Sequence, residues 1–195
     1  LTQNTTRICP VGGGLALVET LASEAEKLGV DFLYETTASG FFTDENGEVC
    51  GVKVRRKNKQ TEILNGKIIL ASGGFEGNSE MQARYLGEKA RFVRPVARGG
   101  YYNRGEGIRM ALDVGAATAG DFSEYHAQPI DPRSGVSEPI VFNFPYGILV
   151  DVKGQRFIDE ASGSVDAIYE NVARTINALP QGMAYLICDQ NLERV

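Results

Sequence analysis

Residues 68–80 read IILASGGFEGNSE. Lys67 to Ala71 is apolar enough for a central strand buried on both faces, and Ser72-Gly73-Gly74 breaks that run at the strand's carboxyl end. In an open α/β sheet, ligands sit outside the carboxyl ends of strands, and a glycine there lets backbone N–H groups approach a ligand with no Cβ in the way. Two other glycine clusters share this character: Gly12-Gly13-Gly14 and Arg104-Gly105-Glu106-Gly107, each heading a helical pattern. Singly, each reads first as a helix-entry or turn device. Together they point to a ligand. Glu106, between two glycines at a helix start, either complements the helix dipole or accepts hydrogen bonds from ligand hydroxyls.

Working outward, Gly14 to Gly29 places Leu15, Val18, Leu21, Ala22, Ala25 and Leu28 on one helical face, with Gly29 as a stop. Val30 to Glu35 reads as a short strand, so an αβ unit packed on a sheet is expected. Gly40–Thr43, Val49–Arg55 and Thr61–Leu64 are short and β-rich around the turn Asp44-Glu45-Asn46-Gly47, which predicts a small antiparallel meander inserted between sheet strands. A second helix is expected over Glu106–Gly115, then Pro-rich loops, a strand at Gly147–Asp151, a helix near Ser164–Leu179 and a strand at Ala184–Cys188. The class is α/β for residues 1–120 and α+β for residues 121–195, with a domain boundary near Gly120 to Gln128.

The chain has 195 residues, 43% of them hydrophobic, which is enough to bury a core. Its formal charge is -5, and the one dense basic run, Lys53 to Lys59, reads as a solvated turn, so no nucleic-acid partner is expected. Cys9, Cys50 and Cys188 lack C-x-x-C or His spacing and read as free, mostly packed thiols, with no metal site. No apolar run approaches the length of a membrane span. A cytoplasmic location is expected, with a periplasmic or exported one left open because the chain starts at Leu1 rather than Met.

Five motifs in order carry a family resemblance: Pro10-Val11-Gly12-Gly13-Gly14-Leu15-Ala16-Leu17, Ala71-Ser72-Gly73-Gly74-Phe75, Gly105-Glu106-Gly107-Ile108-Arg109-Met110-Ala111, Val114-Gly115-Ala116 and Gly154-Gln155-Arg156-Phe157-Ile158-Asp159-Glu160. With them the chain resembles the fumarate reductase and succinate dehydrogenase flavoprotein superfamily, nearest its tricarballylate dehydrogenase and 3-ketosteroid dehydrogenase branch. The resemblance implies an FAD-binding Rossmann-like portion with an inserted β-meander, followed by part of a substrate-capping domain. It implies flavin contact by Ala71, Ser72, Gly73 and Gly74, by Gly12, Gly13, Gly14, Leu15 and Ala16, and by Gly105, Glu106 and Gly107. Thr36-Thr37-Ala38 matches the place where backbone meets the adenine. Family members begin with a strand and G-x-G-x-x-G that hold the pyrophosphate, and this sequence has no such loop. An interior fragment is therefore expected, itself without FAD and inactive.

The resemblance implies hydride transfer between flavin and a C–C bond beside a carboxylate or carbonyl, a small-molecule substrate of that kind, and an electron-donor or acceptor protein as a possible partner. Two departures bear on the chemistry. Fumarate reductases place a proton-donating arginine shortly after R-F-x-x-E, whereas here Glu160 is followed by no arginine before Arg174. They also read Q-A-H-P where this chain reads His126-Ala127-Gln128-Pro129. His126, the chain's sole histidine, is assigned a catalytic and substrate-binding role at the domain junction, against the plainer reading of a packed ring. Gln128 takes the carboxylate-facing position. Arg156 and Glu160 read as a structural ion pair, and Ser162 or Ser164 as a helix cap. A ligand- or partner-binding module without catalysis is the competing reading.

Overall fold

The computed structural model describes residues 11–134 and 139–190, and Cys9 lies outside them. The chain divides into two compact units, one ending at Lys67 and the other starting at Ile68.

The first unit holds α1 (Gly13–Lys27) and a three-stranded antiparallel sheet of β1 (Thr36–Thr43), β2 (Val49–Arg56) and β3 (Thr61–Asn65) in the order β1-β2-β3. This is the expected meander. Its first turn closes because Asp44 Oδ1 accepts from the backbone N–H groups of Asn46 and Glu48, both at 2.9 Å, while Gly47 takes φ +82°. Val54 in the middle strand is buried, facing Ala38 on one side and Glu62 on the other. Ala38 borders a register shift before Gly40, where β1 kinks.

The second unit begins with the SGGF turn and continues through α2 (Ser79–Leu86), two short 3-10 turns, α3 (Glu106–Asp113), an extended loop region, β4 (Ile148–Val150), α4 (Val165–Ala178) and β5 (Tyr185–Ile187). Antiparallel β4 and β5 pair Leu149 with Leu186. Phe144, Leu149 and Val172 form the buried centre, and Phe142, Phe157, Ile158, Ile168, Tyr169 and Ile176 pack on it. The R-F-x-x-E pair closes as expected: Arg156 Nη2 lies 2.6 Å from Glu160 Oε2, and Glu160 is 3% exposed. Burial works to raise the Glu160 carboxyl, but hydrogen bonds from Arg156 and from the Leu149 N–H at 2.6 Å outweigh it, and its pKa is lowered. Ser164 occupies the N-cap of α4, yet its side chain makes no capping bond. No helix among the described residues is long and apolar enough to cross a membrane.

Two strand expectations fail. Val30–Glu35 and Lys67–Ala71 are both unpaired, and Ile69 and Leu70 are 91% and 46% exposed rather than buried. A strand exists only by exchanging hydrogen bonds with a neighbour, and the described residues of this chain offer these segments none. The apolar face of α1 is uncovered for the same reason, with Leu15, Val18, Leu21 and Leu28 all exposed. The thiols also differ from expectation, since Cys188 is exposed and Cys50 half-buried.

Candidate functional site

The SGGF turn and the head of α3 are built as one piece. The Gly105 N–H donates to the Gly74 carbonyl at 3.1 Å, and the Gly77 N–H to the Asn103 carbonyl at 2.8 Å. Asn78 caps α2 by accepting from the N–H groups of Glu80 and Met81, and its amide donates to the Arg104 carbonyl at 2.8 Å. The Asn103 amide donates to Glu76 Oε1. Close approach explains two of the glycines: a Cβ on Gly107 would fall 2.1 Å from Ser72 Oγ, and one on Gly105, at φ +76°, would fall 2.4 Å from Met81 Sδ. Gly73 also holds positive φ, +76°, and a Cβ there would meet the Asn103 amide at 3.1 Å. Ala71, Ser72 and Gly73 are exposed, and their N–H groups form no hydrogen bond with the described residues. Glu106 is exposed in the first turn of α3.

In the first unit, Gly12 is the left-handed N-cap of α1, and Gly13, Gly14, Leu15 and Ala16 form its first turn. No atom comes within 4 Å of a Cβ built on Gly13 or Gly14. Ala38 lies exposed on β1. These residues therefore gather on two separate pieces of the chain: Gly12–Ala16 and Ala38 in the first unit, and Ala71–Gly74 and Gly105–Gly107 in the second.

Within the second unit a cleft of about 830 Å³ brings Gly74 together with His126 and Gln128. Its walls are mostly apolar, from Phe75 and Leu86 through Phe92, Val96 and Ile130 to Ile176. That volume lies in the range of small-molecule sites. Phe75, the residue that ends the SGGF turn, stacks with Phe122 at 6.2 Å and tilts against Tyr85 at 5.4 Å, which fixes the glycine turn beside the 121–128 loop. Gln128 is half-buried on the cleft wall, and its amide makes no hydrogen bond with the described residues.

His126 is not a packed ring. Its side chain is 62% exposed, with Nδ1 3.1 Å from Glu170 Oε2 and Nε2 3.0 Å from the Tyr169 hydroxyl. Arg174, the first arginine after R-F-x-x-E, is committed elsewhere: it pairs with Glu170 at 2.9 Å and Glu124 at 2.7 Å, bonds the Tyr125 carbonyl and lies over the Tyr125 ring at 4.9 Å. Arg174 thus pins the 124–128 loop to α4. Burial tends to lower its pKa, but Glu170 and Glu124 raise it overall. Tyr169 and Glu170 were invisible to sequence reasoning, because they reach His126 across 43 and 44 residues and belong to no local motif. Asn78 carries a signal readable in the sequence, an Asn with Glu80 just inside the helix.

The sequence profile of the FAD binding domain family matches residues 2–194. The chain is 29% identical over 192 residues to the vinyl phenol reductase of Lactiplantibacillus plantarum, an alignment covering 92% of this chain and 37% of that protein. It is 30% identical over 186 residues to the NADH:fumarate oxidoreductase of Klebsiella pneumoniae, covering 93% and 19%. Among solved structures, it superposes on the 3-ketosteroid-Δ4-(5α)-dehydrogenase of Rhodococcus jostii RHA1, in complex with 4-androstene-3,17-dione, with a TM-score of 0.70 at 25% identity, covering 92% of this chain and 34% of that one. The chain therefore spans little more than a third of the longest-covered of these proteins. With a profile matched along nearly its whole length and a fold shared with a 3-ketosteroid dehydrogenase, this chain belongs to the FAD binding domain family.

Proposed function

We propose that the chain forms part of an FAD-dependent oxidoreductase that moves a hydride between flavin and a carbon–carbon bond activated by a carboxylate or carbonyl. The observation that carries this reading is the cleft in which a bare glycine turn, at Gly74, faces His126 and Gln128. The residues fit the cofactor: Ala71, Ser72 and Gly73 expose backbone N–H groups that bond to none of the described residues, and Gly13 and Gly14 leave their Cβ space open, as a flat ligand laid on backbone requires. In the second unit Ala71–Gly74 and Gly105–Gly107 would hold FAD; in the first unit, taken by itself, Gly12–Ala16 and Ala38 are the residues proposed to touch it. Bound FAD supplies the two-electron donor or acceptor. On the substrate side, Gln128 offers a carboxylate or carbonyl oxygen an amide that bonds to none of the described residues, beside a mostly apolar wall. We place the start of a substrate-capping domain near residue 121, and an electron-transfer protein is a further proposed partner.

The test uses the full-length protein, assayed for flavin content and for flavin-coupled turnover of fumarate, 4-vinylphenol and 4-androstene-3,17-dione. Turnover of any of these with FAD retained supports the reading. A full-length protein that retains no flavin would instead favour a ligand-binding module without catalysis.

A further inference from the structure

Arg174 and Asn177 stand three residues apart on α4 and so share one face of the helix. Both meet a single residue of the 124–128 loop, Tyr125. The Arg174 guanidinium donates to the Tyr125 carbonyl and lies over its ring at 4.9 Å, while Asn177 Nδ2 donates to the Tyr125 hydroxyl oxygen at 2.5 Å. Backbone, ring face and hydroxyl of one half-buried residue are thus all held from α4. The Asn177 amide takes a lone pair of the phenol oxygen, and the phenol's own proton has no acceptor among the described residues. Asn177 Oδ1 is buried and without a hydrogen-bond partner among those residues. A half-satisfied amide is a poor architectural device, because a buried orphan acceptor costs stability. Tyr125 and Asn177 both line the 830 Å³ cleft, beside Ala173 and Ile176 on its apolar wall. In such a cleft the few polar groups fix orientation and selectivity.

We propose that Tyr125 is a specificity-determining residue of the cleft: its hydroxyl donates a hydrogen bond to an oxygen carried on an apolar substrate, and Asn177 is the positioning residue that aims it. The proposal rests on the oxidoreductase reading for the reaction that follows binding, and deepens it by naming a second donor beside Gln128 and the chemistry that this donor selects. The free capacity of the hydroxyl is its proton, so the matching group is an acceptor: a ketone, hydroxyl, ether or carboxylate oxygen rather than an ammonium or amide N–H. A hydrocarbon of the same shape would leave that donor unpaired against the apolar wall, which is how a polar site rejects a deoxy analogue. Glu124 and Glu170 pair with the same Arg174 that covers the Tyr125 ring, so the ring is in place before a ligand arrives and little further ordering accompanies binding. No covalent bond is made or broken in this role.

Titration of the full-length protein with 2-naphthol and with naphthalene, one apolar ring body with and without an oxygen, tests the assignment. Wild type is expected to bind 2-naphthol more tightly by on the order of tenfold, the effect of one hydrogen bond in an apolar site. Tyr125→Phe should remove that preference while keeping flavin content and melting temperature. Asn177→Leu should reduce the preference in wild type and change nothing further in Tyr125→Phe, since the amide acts only through the hydroxyl. A wild type that does not prefer 2-naphthol, absence of binding to both probes included, overturns the proposal, and so does a Tyr125→Phe protein with the preference intact. Should Tyr125→Phe lose its fold, Asn177→Leu decides by itself, and an unreduced preference there refutes the assignment. A wild-type protein without flavin overturns the oxidoreductase reading instead, and the titration still decides the role of Tyr125.

Discussion

At the residue scale, burial separates chemistry from architecture. Glu160 is 3% exposed and satisfies the Leu149 N–H, whereas its partner Arg156 is 55% exposed and half-solvated. The cost of Glu160→Ala therefore comes mainly from stranding the Leu149 N–H, about 1–3 kcal/mol in denaturant unfolding. Because the folded carboxyl has a lowered pKa, its contribution is fully present above the unfolded value of about 4.3. It is lost as pH falls from there through the folded value. Urea midpoints measured between neutral and acid pH should draw closer for wild type and Glu160→Ala without meeting, because the neutral carboxyl still accepts from the Leu149 N–H, and a gap that widens on acidification would contradict the assignment. Gly73 provides the contrast, because its turn is exposed and its Cβ space meets the Asn103 amide at no less than 3.1 Å. In the full-length protein, Gly73→Val should abolish FAD retention; the φ of +76° adds backbone strain, so melting temperature must be followed alongside flavin absorbance.

At the scale of elements, α2 shows how one side chain joins a helix to a site. Asn78, 8% exposed, supplies the N-cap and ties α2 to the strand of chain entering α3 through the Arg104 carbonyl. Asn78→Ala should cost about 1–2 kcal/mol, and Asn78→Asp, which keeps the cap but loses the amide donor, should cost less. Equal losses in the two variants would place the whole effect in the Arg104 bond. The uncovered elements behave differently. Residues 68–74 make no backbone ladder, so their amides should exchange with solvent within the fastest class of the second unit, in contrast to Val172 and Ala173 inside α4. Slow exchange at Ile69 and Leu70 in the 195-residue chain would show that the segment has found a partner.

At the scale of the whole molecule, the chain carries three glycine clusters suited to a flavin but no G-x-G-x-x-G loop to hold its pyrophosphate on backbone N–H groups. The 195-residue chain by itself should therefore purify without FAD, and yellow material near one flavin per chain would refute this. The matched relatives are covered over 37% and 19% of their lengths, so the activity belongs to a test on the full-length protein.

The sequence by itself determined what depends on short-range pattern. The meander, α1, α3, α4 and the individual strands β4 and β5 all fall where periodicity and turn residues put them, because each is specified by neighbours close in sequence. Ordered glycine motifs likewise made the family legible along most of the chain, and the R-F-x-x-E pair closed over four residues. The tertiary structure alone decided what depends on distant partners. Hydrophobicity marks Lys67–Ala71 and Val30–Glu35 as strands, yet a strand requires a second chain segment for its hydrogen bonds, and composition cannot say whether one is present. The same holds at the site. Nothing near His126 in sequence identifies Tyr169 and Glu170 as the groups on its two ring nitrogens, because contacts spanning more than forty residues are set by how the 124–128 loop packs on α4, and that packing is fixed by Arg174.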